Sequence, residues 1–192
     1  SNNISITIEE TPAFLDAPGA IYTLKQQSSF FMGSFYKKQR KRFDILMDNG
    51  DPVGGQYSFD EDNRKAFSED IDIPHIWKPS DEFIYNARDY IEKHFPDNPG
   101  SSTPFIYPVT HADAETWLTD FIDNRLIHFG DYQDAISKEE PFLFHSLLSP
   151  LLNTGLLTPK TVITKVLNAY HNRNVAINNI EGFIRQVIGW RE

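Results

Sequence analysis

The sequence predicts a mainly α protein, with an all-α second half preceded by the tail of an α/β domain. Three observations carry this. Helix-start signals recur through the second half, at Ser80, Thr110, Thr158-Pro159 and Asn178. The apolar residues that follow them keep a helical period. The clear strand-like alternation, "ISITI" at Ile4 to Ile8, stands alone near the start, with no comparable segment after it.

Taken in order, Ile4 to Ile8 is expected as a strand of β-branched residues. From Ile21 to Met47, Leu24, Phe31, Phe35, Phe43 and Met47 recur at broadly helical spacing, in two pieces broken near Ser28-Ser29. The second piece carries "KKQRKR", Lys37 to Arg42. It reads as a solvated helix face, with a phosphate-facing patch as the alternative. "DNGDPVGGQYSFDEDNRKAF", Asp48 to Phe67, is rich in turn residues and has no period, so it is expected as a linker or lid.

Ser80 is then expected to cap a helix whose face holds Phe83, Ala87, Tyr90 and Ile91 and which ends before Pro96. After the loop "PDNPGSSTP", Thr110 with Asp113 makes a capping-box-like start. Ala114, Trp117, Leu118, Phe121 and Ile122 form the buried stripe behind it. Thr158 followed by Pro159 opens a helix with Val162, Ile163, Val166, Leu167 and Tyr170 inward. Asn178 with Glu181 repeats the box before the last helix. That pattern runs to Glu192 without a Gly cap or a Pro stop, and there is no initiator Met, so the chain reads as a segment of a longer protein.

Composition removes several function classes. Hydrophobic residues make up 40% of the 192 positions, with 15 Phe and 8 Tyr, which excludes a disordered tail. A net charge of −9 supplies no general field for a phosphate backbone, so nucleic-acid binding would need a local basic patch. No run of about 20 apolar residues spans a bilayer and no signal peptide opens the chain, which predicts a soluble, cytoplasmic protein. The absence of cysteine removes disulfides, thiolate catalysis and thiolate-held clusters from this segment. No His pair has metalloprotease spacing, Gly54-Gly55 lacks the Lys and helix of a P-loop, and no nucleophile elbow is present. No metal site and no catalytic acid or base is assigned.

One segment joins apolar burial to hydroxyls: "PFLFHSLLSPLLNTGLLTPK", Pro141 to Lys160. On a helix, Ser146 and Ser149 would share a face while Leu143, Leu147, Leu148 and Leu151 take much of the rest. On spacing alone the serines read first as caps or back-bonding hydroxyls. The alternative is an anion site, because a helix start offers unpaired N–H groups to a phosphate.

"HSLLSPLLNTGLLTP", His145 to Pro159, resembles the flavin-diphosphate segment of the photolyase and cryptochrome superfamily, Thr-Ser-x-Leu-Ser-Pro followed by Gly and Ser-Pro. His145 stands at the usual Thr, and Ser146, Leu148, Ser149, Pro150, Gly155 and Thr158-Pro159 are in register. "GGQYSFDEDNRK", "THADAETWL" and "EGFIRQVIGWRE" together resemble the deoxyribodipyrimidine photolyase-related family, the bacterial photolyases and cryptochromes with an iron–sulfur cluster.

The resemblance implies an α/β antenna domain ending at residue 47, an interdomain linker over 48–79, and the N-terminal part of an all-α FAD-binding domain over 80–192. It implies FAD contacts from Tyr132, His145, Ser146, Leu147, Leu148 and Ser149, with a cationic His145 favoured beside phosphates. It places Gln186, Trp190 and Arg191 on the side of UV-damaged DNA, with Arg185 as a further contributor. Val187 stands where the superfamily carries a substrate-side Glu. An antenna chromophore and a 4Fe-4S cluster belong to such a parent protein. The cluster cannot be assembled here, since "INNIEG", Ile177 to Gly182, has Asn178 and Asn179 where one Cys is usual. The activity implied is light-driven electron transfer that repairs pyrimidine dimers. A flavin photoreceptor without repair and a helical interaction module are the alternatives.

Overall fold

A computed structural model describes residues 5–17, 19, 30–68 and 70–192. Among these residues it is mainly helical, with seven α-helices and one two-stranded hairpin. None of its helices is long and apolar enough to cross a membrane. The expected strand is not formed by Ser5 to Ile8: these residues have no regular structure, and Ile6 and Ile8 are almost fully exposed. An alternating segment becomes a strand only when a neighbour completes its hydrogen bonds. Ile4, Leu24 and the break at Ser28-Ser29 lie outside the described residues.

Helix α1 spans Met32–Phe43 and ends where Asp44 turns left-handed at φ 53°. It turns two of the six residues of the basic run inward. Arg40 is fully buried and donates to the carbonyls of Ile45, Leu46 and Tyr57, with its guanidinium over the Tyr36 and Tyr57 rings. Gln39 is buried too, while Lys37, Lys38 and Lys41 remain exposed. Neither a wholly solvated face nor a wholly phosphate-facing one describes this run.

The hairpin β1 (Met47–Asp48) and β2 (Asp51–Pro52) is short and antiparallel. Among its described residues, the segment from 53 to 79 holds two 3₁₀ turns, Val53–Gly55 and Asp60–Asp62. Two of its residues are nevertheless buried, Phe59 and Asn63. Helix α2, Glu82–His94, is capped by Asp81 rather than Ser80: the Asp81 carboxylate accepts from the Phe83 N–H at 2.7 Å. Its predicted face is not covered. Only Ile84 is buried, while Phe83, Tyr90 and Ile91 are exposed.

The core lies among α3 (His111–Asn124), α4 (Leu126–Phe129), α6 (Pro159–Asn172) and α7 (Ile177–Arg185). The caps of α3 and α6 form as predicted: Thr110 accepts from the Asp113 N–H at 3.1 Å and Thr158 from the Thr161 N–H at 3.2 Å. The whole predicted stripe of α3 is buried. On α6, Val162, Ile163 and Val166 are buried, and Leu167 and Tyr170 are half-buried. Phe121, Phe129 and Phe183 meet with centroids 5.0 to 6.0 Å apart, two of the three contacts edge-on, the geometry aromatic quadrupoles prefer.

Helix α4 approaches α7 at backbone distance because position 130 is Gly. A Cβ there would lie 2.6 Å from the Asn178 carbonyl oxygen. Helix α7 continues into a π turn, Gln186–Trp190, closed by the Arg191 N–H on the Gln186 carbonyl at 3.1 Å. Met32 and Tyr36 of α1 pack against Gly189 of that turn.

Candidate functional site

The chain from Leu143 to Ser149 does not form the helix expected of it. Leu143 and Leu147 both have left-handed backbone, φ 43° and 57°. Helix α5 starts only at Ser149 and ends at Asn153. Ser146 therefore precedes the helix and Ser149 is its first residue, so the two do not share a helical face. Non-Gly residues pay for φ above zero through Cβ contacts, and such conformations persist where the surroundings hold them. Here the buried Trp117 does so: its Nε1–H donates to the Ser146 carbonyl at 2.9 Å. The Ser146 hydroxyl accepts from the Leu148 N–H at 3.4 Å, a local turn bond.

This turn forms one end of a cavity of about 650 Å³. His145, Ser146, Leu147, Leu148 and Ser149 line that end, and Gln186, Trp190 and Arg191 line it from the π turn. The fold thus brings together the singled-out residues except Tyr132 and Arg185. Tyr132 stacks outside the cavity with Phe144 at 5.4 Å, His128 at 6.2 Å and Phe67 at 6.4 Å. Phe129, Phe183 and Val187 form an apolar wall, and Gln133, Asp134 and Asn153 add polar groups that the sequence did not single out. Gln133 and Asp134 follow Tyr132 directly, and these two neighbours, rather than Tyr132, line the cavity.

Charge at the turn differs from the expectation of a cationic imidazole. Burial pushes the His145 proton affinity below its ordinary value, and the neighbouring Asp134 charge offsets this only in part. His145 stands edge-on to Phe129, centroids 6.1 Å apart.

Behind the π turn is a buried ionic network that spacing gave no sign of. Glu181, expected to close a capping box with Asn178, is fully buried. Its carboxylate accepts from the Tyr36 hydroxyl at 2.8 Å, the Phe59 N–H at 3.0 Å and Arg185 Nε at 3.2 Å. The box fails because α7 begins at Ile177 after Ala176, which has no capping side chain. Burial first, and then the Glu181 charge, push the Tyr36 phenol far above its usual range, so it remains a donor. Arg185 also reaches Asp60 at 2.9 Å, so it faces a carboxylate of this chain.

Asn178 and Asn179 are engaged as well. Asn178 donates to Asp131 at 2.8 Å and to Asn63 at 3.1 Å, and Asn179 accepts from the Asp131 N–H at 3.1 Å. Amides committed to such bonds do not fit an iron–sulfur cluster, which is held by thiolates.

The cavity thus joins the hydroxyls of Ser146 and Ser149 to the apolar side chains of Phe129, Phe183 and Val187. The family model for deoxyribodipyrimidine photo-lyase-related protein matches residues 1–107, and the chain belongs to that family. Over 191 residues, 98% of its length, it is 39% identical to a (6-4) photolyase of Agrobacterium fabrum, of which it spans 38%. Shorter matches join it to two uncharacterised proteins of Acanthamoeba polyphaga mimivirus. R853 is 48% identical over 62 residues, 32% of this chain and 47% of that protein. R852 is 41% identical over 78 residues, 38% and 40% respectively. The chain spans less than half the length of each of these relatives.

Proposed function

We propose that the cavity between the 145–149 turn and the π turn is part of the FAD site of a DNA photolyase that repairs UV-induced pyrimidine dimers. The observation that carries this is the convergence of His145 to Ser149 with Gln186, Trp190 and Arg191 on one cavity, from segments about 40 residues apart in sequence. Its volume falls in the range of roughly 300 to 1,000 Å³ usual for cofactor sites.

The residues fit a dinucleotide at the turn. Ser146 and Ser149 offer hydroxyls, and the first amides of a helix have no acceptor within it. Helix α5 is only five residues long, so hydroxyls and amides, rather than a macrodipole, supply the affinity for a diphosphate. His145 contributes a ring nitrogen whose cationic form is disfavoured by burial. Phe129, Phe183 and Val187 supply the apolar part of the lining. When bound, the flavin supplies the light-driven electron. This chain's residues bind it, orient it and shape the face toward DNA.

On this proposal residues 1–47 end an α/β antenna domain, 48–79 link it, and 80–192 begin the helical FAD domain. Gln186 and Trp190 face the flipped lesion. The lesion class follows the name of the 39% identical relative, the (6-4) photoproduct.

The test is illumination of the full-length protein with oligonucleotides carrying either a cyclobutane dimer or a (6-4) photoproduct. Light-dependent loss of the (6-4) lesion is expected. Flavin photoreduction with both lesions intact would replace repair by photoreception, and a folded protein without flavin would leave an interaction module.

A further inference from the structure

We propose that residues 13–16 form a strap that positions Trp190 at the cavity rim, acting through Arg191 and Glu192. This rests on the cavity being the flavin site, since it assigns a role to a rim residue of that site.

Trp190 lines the cavity and is 62% exposed, so its own packing fixes it poorly. The two residues that follow it are both tied to the opposite end of the chain. Arg191 donates to the Ala13 carbonyl at 2.6 Å and lays its guanidinium over the Phe14 ring at 4.7 Å. The Glu192 carboxylate accepts from the N–H groups of Leu15, at 3.0 and 3.1 Å, and Asp16, at 3.1 Å. The strap is anchored in turn. Asp16 is buried and accepts from Gln39 and Arg42 of α1, and Leu15 packs on the core.

Helix α1 closes the circuit by packing Met32 and Tyr36 against Gly189, the residue before Trp190. The Trp190 backbone is thus held on both sides by groups more than 145 residues away in sequence. The same contacts engage Arg191, which lines the cavity but directs its guanidinium to the strap. Hydrogen bonds between a carboxylate and backbone N–H are among the stronger ones available at a partly exposed site. Losing them frees the segment that carries Trp190 rather than the core beneath it.

The experiment uses the full-length protein and Glu192→Ala, Glu192→Gln and Arg191→Ala, each also in a Trp190→Phe background. The first readout, hydrogen exchange, needs no flavin. In Glu192→Ala the amides of Leu15 and Asp16, and those of 187–191, are expected to exchange faster by roughly tenfold or more. Glu192→Gln, which keeps one acceptor oxygen, is expected to fall between.

The second readout is emission per bound flavin. A Trp at the rim quenches it by contact, so Glu192→Ala should raise it, and the increase should vanish in the Trp190→Phe background. Faster exchange at 15 and 16 with unchanged exchange at 187–191 would overturn the strap. So would a flavin emission change that persists without Trp190. A wild-type protein that binds no flavin would instead overturn the cofactor site, and exchange at 187–191 would still decide the strap. If Glu192→Ala fails to fold, the same comparison is made with Glu192→Gln.

Discussion

Replacing Glu181 by Gln removes the charge at the centre of the network behind the π turn while keeping its shape. The side chain is fully buried and accepts three hydrogen bonds, from the Tyr36 hydroxyl, the Phe59 N–H and Arg185 Nε. One oxygen faces Phe59 and the other faces Tyr36 and Arg185. An amide must therefore turn its NH₂ toward at least one donor. Hydrogen bonds to charged groups contribute about 1.5 to 3 kcal/mol each, and an orphaned buried donor costs about 1 to 3 kcal/mol. Gln retains one good acceptor, so the net loss is about 2 to 3 kcal/mol. Glu181→Ala, which also opens a cavity and leaves Arg185 with Asp60 alone, should lose about 3 to 5 kcal/mol.

For a chain of this size, 1 kcal/mol moves Tm by about 2 to 4 °C, which places Glu181→Gln roughly 5 to 10 °C below wild type. The assay is thermal and urea unfolding, with Tyr36→Phe and the double variant completing a cycle. A coupling of about 1 kcal/mol or more between Tyr36 and Glu181 is expected. Glu181→Gln within about 0.5 kcal/mol of wild type, with additive effects, would refute the network as a source of stability.

Gly130→Ala should destabilise by about 2 to 3 kcal/mol in denaturant unfolding, because its Cβ would lie 2.6 Å from the Asn178 oxygen and 2.8 Å from Asn179 Cα, both backbone. Trp117→Phe removes the donor that holds the Ser146 carbonyl and leaves a gap in the core; a loss of about 2 to 4 kcal/mol is expected, with faster exchange of the 145–148 amides. His145 has a folded pKa held below its ordinary value by burial, so its contribution is fully present above about 6.5 and is lost as pH falls through the lower folded value. Wild-type Tm should therefore fall more steeply than that of His145→Gln between pH values of about 7 and 5.5, and parallel curves would remove this assignment.

What could be read from spacing was what depends on neighbours in sequence. The Thr110 and Thr158 caps and the stripe from Ala114 to Ile122 follow from local hydrogen bonds and a 3.6-residue period, and all of them form. The resemblance marked His145 to Ser149, but it implied nothing about why the turn is bent. That comes from left-handed Leu143 and Leu147 and from Trp117, 29 residues upstream of Ser146.

Glu181 was misread because its partners, Tyr36 and Phe59, lie 145 and 122 residues away, while Asn178 three residues before it imitates a cap. Arg40 looked solvated inside a basic run, yet its side chain turns to three carbonyls. The periodicity of α2 announced an apolar face without saying what covers it, and among the described residues that face is largely open.

The central claim is that the 145–149 turn and the π turn enclose a flavin. The most direct measurement is the visible absorption spectrum of the full-length protein, with flavin stoichiometry, beside Ser146→Ala/Ser149→Ala. About one flavin per wild-type chain and a clear depletion in the folded double variant are predicted. A folded wild-type protein without a flavin band, or a double variant with undiminished flavin, would contradict the site.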